Sequence, residues 1–155
     1  MIAVVATLVA SCGDDAAEPL DWHAIDPCAL VEPNEVAQVD NCRSIDAVTQ
    51  PKRSNNDSSS ECKWQGFLSV VLSGPTPRTR AYVIRDLDFG GRQAAVVDEK
   101  GGDCRVWVVY RDAEAVISIN PARDKTNVDL DDRSTVSCDV QRPLLTSILD
   151  RVDLP

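Results

Sequence analysis

The sequence predicts an α+β domain: an antiparallel meander of about five strands, with a short helix before it and a longer helix after it. Three observations lead there. In four segments between Phe67 and Ile119, apolar residues recur with a period of two or run β-branched and aromatic. The breaks between the later segments carry Gly90-Gly91, Gly101-Gly102 and Arg111-Asp112-Ala113. A parallel crossover needs a dozen or more residues, so neighbours joined this closely run antiparallel. Helical spacing of apolar residues is found near the two ends of the chain.

In chain order, Pro33–Val39 is expected to be a short helix. Pro33 suits the first helical position, where its missing N–H costs nothing, and Val36 and Val39 share a face. Pro51–Glu61 is polar and without an apolar anchor, and is expected to be an exposed loop. The strands follow. Phe67–Leu72 puts Leu68, Val70 and Leu72 on one face, and Ala81–Leu87 carries Tyr82, Val83 and Ile84. Gln93–Val97 is a fainter strand, Arg105–Tyr110 is β-branched and aromatic, and Ala115–Ile119 alternates. Asp124–Ser134 reads as a second loop. The chain closes with an amphipathic helix over Gln141–Val152, with Leu144, Leu145, Ile148 and Val152 as its apolar stripe.

Composition bounds the function. The chain has 155 residues, 43% hydrophobic and 26% charged, which fits one ordinary domain with enough apolar surface to offset the entropy of ordering. Sixteen basic and 25 acidic residues leave a net charge of −9, which disfavours nucleic acid and anionic headgroups as partners. His23 is the single histidine, so mechanisms that need two are excluded.

Residues 1–11 are uncharged and mostly apolar, too short to cross a hydrocarbon core of about 30 Å and of the length of a signal-peptide apolar region. Val9-Ala10-Ser11-Cys12 resembles a bacterial lipobox. That resemblance implies a lipoprotein signal peptide over 1–11, cleavage before Cys12, and a diacylglycerol on Cys12 Sγ. Membrane attachment would then rest on the acyl chains. No Lys or Arg precedes Arg43, so the basic start of the signal peptide is expected upstream of Met1. Residues 12–25 read as a lipidated tether and 26–155 as the single domain.

Once Cys12 is acylated, Cys28, Cys42, Cys62, Cys104 and Cys138 remain. The number is odd. Leaving out any one and pairing the other four in three ways gives 15 arrangements, and the spacing alone leaves Cys28–Cys42 among them. No Cys-x-x-Cys occurs and His23 is isolated, so disulfides are expected rather than metal. Further motifs come in a fixed order after the lipobox: Asp26-Pro27-Cys28-Ala29-Leu30, Glu32-Pro33-Asn34-Glu35-Val36, Cys62-Lys63-Trp64, Cys104-Arg105-Val106, Ser137-Cys138 and Leu154-Pro155. This set resembles the actinobacterial lipoproteins grouped as domain of unknown function 3558, over about Asp26 to Pro155. The resemblance implies a disulfide-stapled domain with the bridges Cys28–Cys62 and Cys104–Cys138. Cys42 departs from the family pattern and is expected unpaired.

Neither a G-x-S-x-G nucleophile motif nor a P-loop occurs, and Ser137 has no evident base. His23, beside Trp22 in the expected tether, reads as solvated or packed on Trp22 rather than catalytic. Asn127-x-Asp129-x-Asp131-Asp132 has the alternation of a calcium loop. It lacks the turn glycine and the closing glutamate, and reads as solvated. Trp64 and Trp107 are expected to pack on disulfides, with lining of a ligand site as the alternative. No catalytic residue, metal or cofactor is assigned. The expectation is a non-enzymatic binding module, lipid-anchored on the outer face of the cytoplasmic membrane, for an envelope protein, lipid or glycan. The alternatives are an envelope hydrolase using a carboxylate pair and a cell-surface protein inhibitor presenting Pro51–Glu61.

Overall fold

The computed structural model describes residues 20–40, 50–64, 67–76, 82–99, 103–120 and 137–153. Seven strands form one sheet: β1 (Lys52–Asn56), β2 (Ser59–Trp64), β3 (Leu68–Ser73), β4 (Arg85–Phe89), β5 (Arg92–Asp98), β6 (Cys104–Val109) and β7 (Glu114–Ile119). Their order is β1-β2-β3-β7-β6-β5-β4, and every neighbouring pair is antiparallel. The expected single meander of about five strands is therefore two meanders. From β3 the chain passes to the far edge, β4, and works back until β7 closes against β3.

Strand alternation sorts the side chains. Cys62, Val70, Ile117, Val106 and Val96 stand in one register row across five strands, and all are buried. The helical elements share their core: a 3₁₀ turn (Pro27–Leu30), α1 (Pro33–Asp40) and α2 (Arg142–Val152). They bring Leu30, Val36, Val39, Leu145, Ile148, Leu149 and Val152 into it. Each large aliphatic side chain so buried contributes about 1.5–3 kcal/mol. Pro33 opens α1 as expected. Glu35 reaches back to accept the Glu32 N–H at 2.8 Å, half of a capping box.

Four expectations are corrected. Pro51–Glu61 is not a loop: β1 and the start of β2 form a hairpin there, closed by Asp57-Ser58. Asn56 Oδ1 accepts the N–H of Ser58 at 2.9 Å and of Ser59 at 2.8 Å, so an Asx turn does the work that a glycine pair does elsewhere. The strand expected over Ala81–Leu87 begins only at Arg85, and Tyr82 and Ile84 are exposed ahead of it. In α2 the buried stripe is Leu145, Ile148, Leu149 and Val152, with Leu144 only half-buried. The segment from Leu20 to Ile25 packs on the domain instead of trailing as tether. Trp22 is buried in the core and His23 stacks on it, ring centroids 3.6 Å apart.

Disulfides join Cys28 to Cys62 and Cys104 to Cys138, with Cα separations of 5.1 and 5.0 Å, ordinary for bridged residues. These are the pairs that the family resemblance implies. The first ties the 3₁₀ turn to β2. The second ties the start of β6 to a helical turn (Ser137–Val140) just ahead of α2. Cys12, Cys42 and the stretch 124–134 lie outside the described residues.

Candidate functional site

A cavity of about 1020 Å³ lies between the N-terminal segment, the end of α2 and one end of the sheet. That is at the upper end for a small-molecule pocket. Its floor is the end of β6 and the start of β5. A two-residue turn with Gly90 at φ 70° and Gly91 at φ 94° delivers the chain into β5. Both angles lie in the left-handed region where glycine carries no Cβ penalty, and Asp88 Oδ1 accepts the Gly91 N–H at 2.7 Å. This turn places Arg92 at the cleft.

The walls are pinned by polar contacts. The Leu20 N–H donates to Asp112 Oδ1 at 2.8 Å, fixing the N-terminal segment to the β6–β7 turn. Asp26 accepts the Cys28 N–H at 3.0 Å and pairs with Arg53 at 3.2 Å. On the other side Arg151, in the last turn of α2, forks onto Glu35, Nη1 to Oε2 at 2.7 Å and Nη2 to Oε1 at 3.0 Å. Its Nη1 also donates to the Leu30 carbonyl at 2.8 Å. One guanidinium thus joins α2, α1 and the 3₁₀ turn. Burial works against the Glu35 carboxylate. The Arg151 fork and a 2.6 Å hydrogen bond from Ser147 Oγ outweigh it and hold Glu35 below its ordinary pKa.

Inside, the lining is mainly apolar, including Leu20, Ile25, Ala29, Leu30, Val108 and Val152. Tyr110 adds its ring to the wall, while its Oη is shut off from solvent and from the cavity, on the side of the Asp153 carboxylate. Burial, and then the negative charge of Asp153, push its pKa well above the ordinary tyrosine value, so the hydroxyl stays neutral. Arg92 pairs with Asp150 at 3.4 Å and closely with Asp153. The arginines at the cleft are thus matched by carboxylates of the protein, and Asp26 and Asp153 are engaged by Arg53 and Arg92. The arrangement offers a mostly apolar chamber rimmed by paired ions.

No family model, curated protein or solved structure matches the chain.

The residues singled out from sequence fall elsewhere. Trp64 is buried on the core face, in the register row that also holds Leu68, Ile119 and Cys104. Trp107 faces the opposite side, and its indole N–H donates to Glu114 Oε2 at 2.9 Å. Glu114 is itself 1% exposed and accepts from Ser73 Oγ and Thr76 Oγ1 at 3.1 and 2.8 Å. Neither tryptophan lines the cleft. His23 is exposed against Trp22. Among the described residues no cluster of three metal-ligating side chains occurs, and the stretch 127–132 lies outside them. Sequence reading missed Tyr110, Arg92 and Arg151. The usable signals were the tyrosine ending an otherwise aliphatic strand and the arginine inside the last turn of an amphipathic helix.

Proposed function

We propose that this protein is an exported, lipid-anchored lipoprotein of the cell envelope, akin to domain of unknown function 3558, and acts as a non-enzymatic binding module for an amphiphile. The lipobox ending at Cys12 supports the anchor, and two disulfides fit an oxidising compartment. The observation that carries the binding reading is the cleft. Its apolar walls suit an alkyl or polyprenyl portion, and the paired ions at its edge leave no cation to attract a charged head.

An environment-sensitive fluorescent acyl probe tests it, titrated into the mature protein and displaced with an extract of the native envelope. Binding is expected, with loss on Ala29→Trp, which fills the cleft, and little change on Tyr110→Phe, whose hydroxyl the cleft does not reach. Probe binding unchanged by Ala29→Trp would move the site elsewhere. Release of a cleaved lipid product would put the hydrolase reading in its place. A second reading, the surface inhibitor, is favoured by the β1–β2 hairpin. Its outer strand is exposed at every residue, and its inner strand is held by Cys62 to Cys28.

A further inference from the structure

The sheet face opposite the helices holds a second cavity, of about 480 Å³. It lies at the other end of β6 from the cleft, with Arg105 in place of Val108 and Tyr110. Its floor follows from the register. Lys63 stands opposite Ser69, Ser69 opposite Ser118, and Ser118 opposite Arg105. A row Lys-Ser-Ser-Arg therefore runs straight across β2, β3, β7 and β6. Strands lie about 4.8 Å apart, so the backbones of the two cationic residues stand about 14 Å apart across the sheet with hydroxyls between them. The next row supplies Glu61, Val71 and Val116, and Asn120 closes the end.

The charges in this row are unevenly matched. Lys63 lies 2.9 Å from Glu61. Arg105 Nε donates to Ser118 Oγ at 2.9 Å, which fixes the guanidinium over the groove, and no carboxylate lies within ion-pair distance of it among the described residues. By contrast Arg53, Arg85, Arg92, Arg142 and Arg151 each meet a carboxylate, and Arg111, the other described arginine without one, stands exposed in the β6–β7 turn outside the groove. Exposed at the groove and without a carboxylate among the described residues, the Arg105 guanidinium is positioned for an oxyanion from outside, a short-range charge-assisted bond that acts where salt screens the chain's net charge of −9. Asp98 stands across the ladder from Arg105 on β5 but does not line the groove. The floor is a sheet face rather than an edge, so it offers no backbone ladder to a peptide. It offers hydroxyls, an amide and a narrow apolar shoulder, the partners of a sugar's hydroxyls and its C–H face.

We propose that this groove is a second binding site, independent of the cleft, for an acidic oligosaccharide. One carboxylate or phosphate of the ligand sits on the Arg105 guanidinium, and its hydroxyls bond Ser69, Ser118 and Asn120. The test is calorimetric titration of the mature protein with three oligosaccharides of similar length: a galacturonate trimer, a phosphorylated maltotriose and neutral maltotriose. At least one acidic oligomer should bind about tenfold more tightly than maltotriose and weaken as salt rises. Which of the two binds identifies the oxyanion. Arg105→Gln should cost about tenfold, and Arg111→Gln, at an exposed arginine of the β6–β7 turn, should cost nothing. Ser69→Tyr, which fills the groove from β3, should abolish binding and serves if Arg105→Gln fails to fold. Ala29→Trp in the cleft should leave the titration unchanged, so this site and the proposed amphiphile site fail separately. No preference for either acid over maltotriose, or equal losses with Arg105→Gln and Arg111→Gln, would overturn the proposal.

Discussion

Glu35 and Glu99 each hold a helix to the rest of the molecule by one carboxylate. Glu35 receives the Arg151 fork from α2. Glu99, just beyond β5, receives a fork from Arg85, 3.0 Å from Nε and 2.7 Å from Nη2, and the Cys138 N–H at 3.1 Å. The Arg85 hydrogen bond, set against burial, holds Glu99 below its ordinary pKa, and Glu35 is likewise depressed. The unfolded chain then binds more protons than the folded one in the acid range. The stabilisation is complete above the ordinary value of 4.5 and is lost as pH falls through the lowered folded values. Urea midpoints should hold from pH 7 to about 5 and drop steeply below about 4, and Glu35→Gln should flatten that drop. At pH 7 that substitution should cost about 1–3 kcal/mol, the range for leaving buried partners unsatisfied. A wild-type midpoint level down to pH 3 would contradict this. None of this pairing was legible in the sequence. Glu35 and Arg151 are 116 positions apart, and periodicity reports the face of a helix, not its partner.

At the scale of elements, legibility followed apolar content. Strands β3, β5, β6 and β7 were read to within a residue or two, because apolar residues alternate in β3 and β7 and run together in β5 and β6. Strand β1 is Lys-Arg-Ser-Asn-Asn, exposed throughout, and β2 buries Ser60, Cys62 and Trp64, a period-two signal with a serine in one of its three positions. A strand at a sheet edge needs little core contact, so composition called it loop. The turn is the part that fixes this hairpin locally. Asn56→Ala removes the acceptor for two backbone N–H groups and should cost about 0.5–1.5 kcal/mol. Hydrogen exchange should then quicken through β1 and the start of β2 and stay unchanged in β6 and β7. Equal quickening in β6 would mean that the hairpin is not a separate cooperative unit.

At the scale of the molecule, the strand order was hidden for a different reason. A period of two says which residues share a face, and short turns say which strands are joined, but neither says that β7 returns to lie beside β3. What the sequence did carry across the whole chain was cysteine parity. Four cysteines stand in the two bridges, each closing a separation of 34 residues and contributing about 3.8 kcal/mol in the chain-entropy account, against a typical net stability of about 5–15 kcal/mol. Cys12 and Cys42 are the remaining two. If Cys12 carries the lipid, one thiol is left, and the count of free thiols reads out the anchor and the pairing together. Protein taken from the native envelope, denatured without reductant and alkylated, should gain a single label on Cys42, with an N-terminal peptide whose mass includes acyl groups on Cys12. Protein made without lipoprotein processing should gain two. No label, with a Cys12–Cys42 linked peptide, would exclude both the anchor and the unpaired Cys42. A Cys28–Cys42 fragment with the label on Cys62 would keep the anchor and overturn the bridge that ties the 3₁₀ turn to β2.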